Sequence, residues 1–151
     1  MTEIAVKQTL RVLREGLDGP AEGPSYYLDT NAGLRTTLAG LSAEEASRPW
    51  GGNSVAAHAH HLLFSFDAFA AYVNGDRTQR DWDQSWSVNT VDDAAWTKLQ
   101  EDIVRGYEAL RDAIKAHGHE GPEAFGSALA AVTHLAYHIG AIRQKVAAAK
   151  E

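Results

Sequence analysis

The chain has 151 residues, a length that suits one ordinary domain and is too short for two well-buried cores. Apolar residues make up 44% of it and charged residues 23%, the proportions of a folded globular protein rather than of a disordered or fibrous one. The formal net charge is -6, so a phosphate backbone would repel the chain and nucleic acid is not expected as a partner.

The first predicted element is an amphipathic helix. Its apolar residues step by four, three and four positions, which places them on one helical face. The residues of this stripe are Val6, Leu10, Leu13 and Leu17. The pattern predicts a helix from about Glu3 to Leu17, ending where glycine and proline become frequent.

A less regular segment follows this helix. Ser25–Leu41 carries tyrosine and leucine at helical spacing and is predicted to be helical, although Gly33 and Gly40 weaken the pattern. Ser42 and Glu45 then form a capping-box pattern, which predicts a short helical turn that ends before the next proline. The sequence thus predicts extra short helical structure after the first long helix.

The second long helix begins after a Trp-Gly-Gly-Asn loop. Asn53 or Ser54 suits its N-cap, and the helix is predicted to run to about Asn74. Its apolar stripe is Val55, Leu62, Phe66, Phe69 and Val73. Asp76–Asn89 is too polar and too irregular for a core helix, so we expect a long loop there.

Two more long helices complete the pattern. Thr90 and Asp93 suggest an N-terminal box for the third helix, which ends near Gly118, and the last helix begins at Pro122 and runs to the C-terminus. Their stripes are Trp96, Leu99, Ile103, Tyr107, Leu110 and Ile114, and then Phe125, Leu129, Val132, Leu135, Ile139, Ile142 and Val146. Four such helices predict an all-α four-helix bundle, forming a single domain over residues 1–151.

Histidines on two of these helices are candidate metal ligands. His134 and His138 are four residues apart, so their rings project from one helical face at a separation that two imidazoles can close around one ion. His58 and His61 share a face of the second helix, and bundle packing would bring one of them against that pair. Pairs at this spacing also occur as ordinary surface or core histidines, so the pair alone does not establish a metal site.

Two segments of the chain resemble the DinB-like family. In the segment that begins at Asn53, the family places a metal-binding histidine about seven residues after the serine that opens the helix, and this position is His61. The segment HLAYHIGAI is similar to the family's pattern His-x-x-x-His-x-Gly-Gln-Ile, which assigns His134 and His138, while the glutamine of the pattern is Ala141 here. The resemblance covers most of the chain.

The resemblance implies a four-helix bundle that holds one divalent metal ion through His61, His134 and His138. Three imidazoles suit zinc, nickel or iron. His58 lies one turn before His61. It is a candidate either for contacting one of the metal-binding histidines or for binding the metal in place of one of them, and the alternative is a purely structural role. No residue is assigned as catalytic.

The loop between the second and third long helices also looks like one subgroup of this family. Its aromatic residues are Trp82 and Trp86. We expect these side chains to pin the loop over one end of the bundle, with a substrate wall as the alternative.

The predicted ligand set favours some reactions over others. Three protein ligands leave at least one metal position open, which favours chemistry over a closed structural site. The residue after His134 is Leu135, so the glutamate base of HExxH metalloproteases is missing and peptide hydrolysis is disfavoured. Known members that resemble this chain include transferases and isomerases that use a low-molecular-weight thiol as cosubstrate, and a divalent cation would ionise such a thiol.

Three functions therefore stay open. The first is metal-dependent transfer of a small thiol to an electrophilic small-molecule substrate. The second is hydrolysis through bound hydroxide, with a loop carboxylate as base. The third is non-catalytic binding of a metal or a small ligand.

Composition also bears on the surroundings of the protein. Because there is no cysteine, disulfides and thiolate ligands are excluded and any thiol must come from solution. We expect a cytoplasmic protein, since the N-terminal residues lack a signal pattern and no continuous apolar run reaches the roughly 20 residues of a membrane span. A symmetric homodimer is a further expectation.

Overall fold

The computed structural model describes residues 2–149, and every regular element within that range is helical. The long helices are α1 (Thr2–Asp18), α4 (Val55–Val73), α5 (Asp93–His117) and α6 (Pro122–Ala148). Two short helices, α2 (Leu34–Ala39) and α3 (Ala43–Ala46), lie between α1 and α4. The predicted all-α class is confirmed. The domain predicted for residues 1–151 also includes Met1, Lys150 and Glu151, which lie outside the described residues.

The four long helices form the bundle. Helix α4 packs against α5 and α6, and α1 packs against the same two helices, so α1 and α4 occupy diagonal corners. Every long helix supplies fully buried side chains to the core, among them Leu13, Leu62, Phe66, Ile103, Leu110, Leu135, Ile139 and Ile142. Burying one such side chain contributes roughly 1.5–3 kcal/mol, so the buried positions of the predicted stripes stabilise the bundle. Leu129, predicted as part of the α6 stripe, is instead exposed.

The prediction of a helix over Ser25–Leu41 is wrong for its first part. The carboxylate of Glu15, which is buried on α1, accepts hydrogen bonds from the backbone N–H groups of Tyr26, Tyr27 and Leu28 at 2.7, 2.7 and 2.8 Å. Burial raises the pKa of Glu15, but these hydrogen bonds outweigh it and leave the pKa below its ordinary value. Because these backbone N–H groups find their acceptor in Glu15, they do not need the hydrogen bonds of a helix. The segment is therefore not helical, although the spacing of its apolar residues predicts a helix.

Gly33, the N-cap residue of α2, lies against the C-terminal end of α1. A Cβ atom on Gly33 would lie 2.3 Å from the backbone nitrogen of Gly19 and 2.6 Å from the carbonyl carbon of Asp18. The chain after α1 therefore passes against the end of α1 at a distance that only glycine allows. The predicted turn at Ser42 is confirmed, since Ser42 and Glu45 form a capping box at the start of α3.

Two predictions between α4 and α5 need correction. The segment predicted as a loop over Asp76–Asn89 contains a 3-10 helix, Trp82–Trp86, whose start is capped by Asp81. The cap of α5 is Asp92, whose side chain accepts from the backbone N–H of Ala95, so the box expected from Thr90 does not form. Aspartate is a favoured N-cap residue because its carboxylate accepts a hydrogen bond from a free N–H group of the first turn.

Helix α6 is long and apolar enough to cross a membrane by length and composition alone, and 33% of the residues in its most apolar 18-residue window are buried in the bundle. Core helices of soluble proteins pass the same test. Here Leu135, Ile139 and Ile142 are buried against neighbouring helices, and one helix of this kind is a weak indication of a membrane span.

Candidate metal centre

Three histidines meet between α4 and α6. His61 projects from α4, and His134 and His138 project from one face of α6, one turn apart. Each offers one ring nitrogen such that the three ligand atoms all lie within 4.8 Å of one another. Between His61 and His134 the two Nε2 atoms are 3.0 Å apart.

These distances fit a single metal ion. Zinc–nitrogen bonds of about 2.0–2.1 Å at tetrahedral angles place two ligand nitrogens about 3.3 Å apart, close to the 3.0 Å that joins His61 to His134. The Nδ1 atom of His134 is also buried without a hydrogen-bond partner among the described residues. This atom lies on the other edge of the ring from Nε2, so an ion held at Nε2 would leave it without a partner and it does not itself support the metal site.

The environment keeps the three rings neutral near physiological pH. Burial, reinforced by the neighbouring histidines, lowers the pKa of His61 to about 4 and that of His138 to about 3. Burial also lowers the pKa of His134. Because only the neutral imidazole has a free lone pair, the burial that penalises protonation also leaves these nitrogens ready to bind a cation.

His58 lies beside this group without joining it. Its Nδ1 atom is 3.0 Å from Nδ1 of His138, and its ring is buried. Burial, with a smaller contribution from Lys145, lowers its pKa to about 4. This position suits contact with His138, one of the candidate ligands, better than binding of the metal in place of a ligand.

Comparison with known proteins assigns the chain to a family. The sequence profile of the DinB superfamily matches residues 27–142, which include the three histidines and the 3-10 helix. The chain belongs to the DinB superfamily. Neither the curated proteins nor the solved structures gave a match.

In this DinB-superfamily bundle the 3-10 helix covers the histidines. Trp86 stacks on His61 with ring centroids 4.1 Å apart and planes 15° from parallel. The ring centroid of Trp82 lies 6.0 Å from that of His61, and the ring centroid of Phe69 lies 5.6 Å from that of His134. The tryptophans expected to pin the loop thus pack on the candidate ligands themselves, and with Phe69 they form an aromatic cover over the site.

Ser85 also contacts one of the candidate ligands, although no sequence pattern singled it out. This residue is fully buried in the 3-10 helix, and its hydroxyl oxygen lies 2.6 Å from Nδ1 of His61. Its carbonyl oxygen lies 2.7 Å from Nδ1 of His60, a residue that is not one of the three candidate ligands. One available signal was Asp81, a capping residue four positions earlier, which marks the start of a turn in a segment otherwise taken as irregular.

Proposed function

We propose that this chain binds one divalent metal ion through His61, His134 and His138 and transfers a low-molecular-weight thiol to a small electrophile. The observation that carries the proposal is the convergence of three neutral imidazoles, each offering one ring nitrogen, with these nitrogens within 4.8 Å of one another. Zinc, nickel and iron suit such a nitrogen set. The absence of cysteine means that the sulfur must come from a cosubstrate.

The chemistry divides between the metal and the protein. A bound divalent cation would lower the pKa of the thiol and hold its sulfur for attack. The sulfur would then form a bond to the electrophilic carbon as the bond to the leaving group breaks, or the ring C–O bond in an epoxide. The thiol proton would pass to solvent, or to the released oxygen of the epoxide. The three histidines act as ligands, and the rings of Trp82, Trp86 and Phe69 exclude water from the site and favour an apolar electrophile.

Hydrolysis is the weaker catalytic alternative. It needs a base to activate water, and the group of mutually close ligand atoms consists of three histidines with no carboxylate. The nearby acidic residues of the 3-10 segment, Asp81 and Asp83, are exposed, and Asp81 caps the turn. A hydrolase would therefore need a carboxylate to move into the site.

Non-catalytic metal binding is the second candidate, and the aromatic cover favours it. Trp86 stacks directly on one candidate ligand, and Ser85 ties the same ring to the covering turn. A ligand site closed in this way suits retention of an ion more than rapid exchange of substrates.

A conjugation assay separates these candidates. Metal-loaded protein is mixed with glutathione, bacillithiol or mycothiol in turn and with an aromatic halide or an epoxide, beside the His134→Ala variant. The proposal expects a rate enhancement that His134→Ala removes, while the uncatalysed reaction continues. Metal-dependent ester or amide hydrolysis without conjugation would favour the hydrolase, and stable metal content without either reaction would favour the binding protein.

We also propose a cytoplasmic homodimer. The α6 outer face, formed by Gly126, Leu129, Thr133, Tyr137 and Gly140, carries no charge, and Leu129 and Tyr137 are exposed. A Cβ atom on Gly126 or Gly140 would meet nothing within 4 Å, so packing within the described chain does not require either glycine. The two lie seven positions either side of Thr133, so a two-fold axis there would pair Gly126 with Gly140 of a second copy.

A further inference from the structure

Ser85 makes two short contacts through one hydroxyl group. Its Oγ atom lies 2.6 Å from the carbonyl oxygen of Trp82 and 2.6 Å from Nδ1 of His61. The residue is fully buried, so water does not share these contacts. Both must be satisfied by the one proton of the hydroxyl and by whatever proton the imidazole carries.

The two contacts decide which nitrogen of His61 is protonated. A carbonyl oxygen only accepts, so a proton must lie between the oxygen of Trp82 and the hydroxyl of Ser85, and the hydroxyl supplies it. Nδ1 of His61 must then donate to the hydroxyl oxygen. In the other tautomer the hydroxyl would turn to Nδ1, and two oxygen atoms would face each other at 2.6 Å without a proton.

The position of Ser85 is fixed from a second side. Its carbonyl oxygen accepts a hydrogen bond from Nδ1 of His60 at 2.7 Å, which ties the 3-10 helix to α4 next to the candidate ligand. The ring of His61 is in turn held between the hydroxyl of Ser85 and the stacked ring of Trp86. The turn therefore fixes both the orientation and the tautomer of this imidazole.

We propose that Ser85 is a positioning residue that holds His61 as the Nδ1–H tautomer, so that the lone pair of Nε2 points to the position shared with His134 and His138. The proposal rests on the proposed metal site, because this tautomer matters only if Nε2 of His61 binds a metal ion. In the Ser85→Ala variant, Nδ1 of His61 loses its acceptor and the tautomer is no longer fixed. Loss of such a partner costs about 10- to 100-fold in metal affinity.

The tautomer can be read without any metal. Histidine ring nitrogens are labelled in metal-free protein near neutral pH, long-range hydrogen–nitrogen correlation spectra are recorded, and His61 is assigned with a His61→Gln variant. We expect a protonated Nδ1 and an unprotonated Nε2 in the wild-type protein, and a mixture of tautomers in Ser85→Ala. A protonated Nε2 in the wild-type protein would overturn the proposal whatever the variant does.

Ser65→Ala is the matched control. Ser65 is also fully buried, lies on α4 one turn after His61, and donates its hydroxyl proton to the carbonyl oxygen of Leu62. The control should lose a buried hydroxyl while leaving the His61 signals and the zinc affinity unchanged. If Ser65→Ala shifts the tautomer as far as Ser85→Ala does, the effect is general loosening of the bundle and the proposal is wrong.

Zinc affinity, measured by competition with a chromophoric chelator, is the second readout. Ser85→Ala should weaken zinc binding about 10- to 100-fold while the variant stays helical. Unchanged affinity would overturn the role of Ser85. A wild-type protein with the expected tautomer but no zinc binding would instead contradict the proposed function, and the assignment of the tautomer to Ser85 would stand.

Discussion

The Nδ1 atoms of His58 and His138 lie 3.0 Å apart, so one of them must donate a proton to the other. If Nε2 of His138 is the ligand atom, its Nδ1 carries the proton and His58 accepts it. His58 then does for His138 what Ser85 does for His61. Two of the three candidate ligands thus have a buried hydrogen-bond partner on the ring edge away from the shared position.

Substitution of His58 should weaken metal binding without abolishing it. His58→Ala removes the partner of His138 but keeps all three candidate ligands, so we expect zinc affinity to fall about 10- to 100-fold. His138→Ala should remove stoichiometric binding altogether. Both are measured by chelator competition on folded protein.

His117→Ala serves as the control for this comparison. His117 lies at the end of α5, where its ring is 3.0 Å from the carboxylate of Glu120, far along the chain from the candidate site. This variant should bind zinc like the wild-type protein. Complete loss of metal in His58→Ala would show that His58 is itself a ligand and would contradict the assignment made here.

The metal-free protein should lose stability as the pH falls below about 6.5. His61 and His138 have folded-state pKa values of about 4 and about 3, below the ordinary value of about 6.5 that applies to the unfolded chain. Between these limits the unfolded chain binds protons that the native protein does not, so the free energy of unfolding falls by at most about 1.4 kcal/mol per pH unit for each histidine. Below the folded pKa values this contribution is fully lost.

Urea unfolding of the metal-free protein across this pH range measures the effect. His138→Gln should flatten the dependence between near-neutral pH and about pH 5, where few carboxylates titrate. Parallel curves for the wild-type protein and the variant would contradict the low pKa of His138.

Glu15→Gln should destabilise the bundle strongly for a single conservative change. The amide keeps one acceptor oxygen, whereas the carboxylate accepts from three backbone N–H groups. A buried N–H group left without an acceptor costs about 1–3 kcal/mol, so we expect the free energy of unfolding to fall by about 2–4 kcal/mol. Glu22→Gln, at an exposed position of the same region, is the control. A loss similar to that of the control would show that the carboxylate is not what orders this segment.

The long helices were predictable because the residues that determine each of them lie close together in the sequence. The stripe from Trp96 to Ile114 is buried at each of its six positions. Pro122 is the first residue of α6, a position that proline favours. The segment after α1 was not predictable in this way. Glu15 and Tyr26 are 11 positions apart in sequence, and no periodicity shows that a carboxylate will take the backbone N–H groups of a distant segment.

In the candidate site, too, some residues could be predicted from the sequence and others could not. The spacing of His134 and His138 indicated a shared face, and the resemblance to the DinB-like family selected His61 over His58. Ser85 was invisible because it approaches His61 from a segment without helical periodicity, 24 positions further along the chain. Long-range contacts of this kind depend on the packed bundle rather than on local spacing.

Assembly is tested by one charge on the α6 outer face. Tyr137 is 74% exposed on this face, so Tyr137→Glu would place a carboxylate in the proposed dimer interface. Sedimentation velocity at micromolar concentration should give a dimer for the wild-type protein and a monomer for this variant. Ala109→Glu, at an exposed position of α5, should remain dimeric. A wild-type monomer would contradict the proposed dimer.

Metal content tests the central proposal most directly. The chain is produced without an affinity tag and purified without chelator, and its metals are measured by elemental analysis beside His61→Ala, His134→Ala, His138→Ala and the His117→Ala control. We predict about one divalent ion per chain in the wild-type protein and in the control, and close to none in the other three, since a single three-ligand site requires each of its ligands. A wild-type protein without metal after incubation with zinc, nickel or iron, or one whose metal survives substitution of all three histidines, would contradict the account.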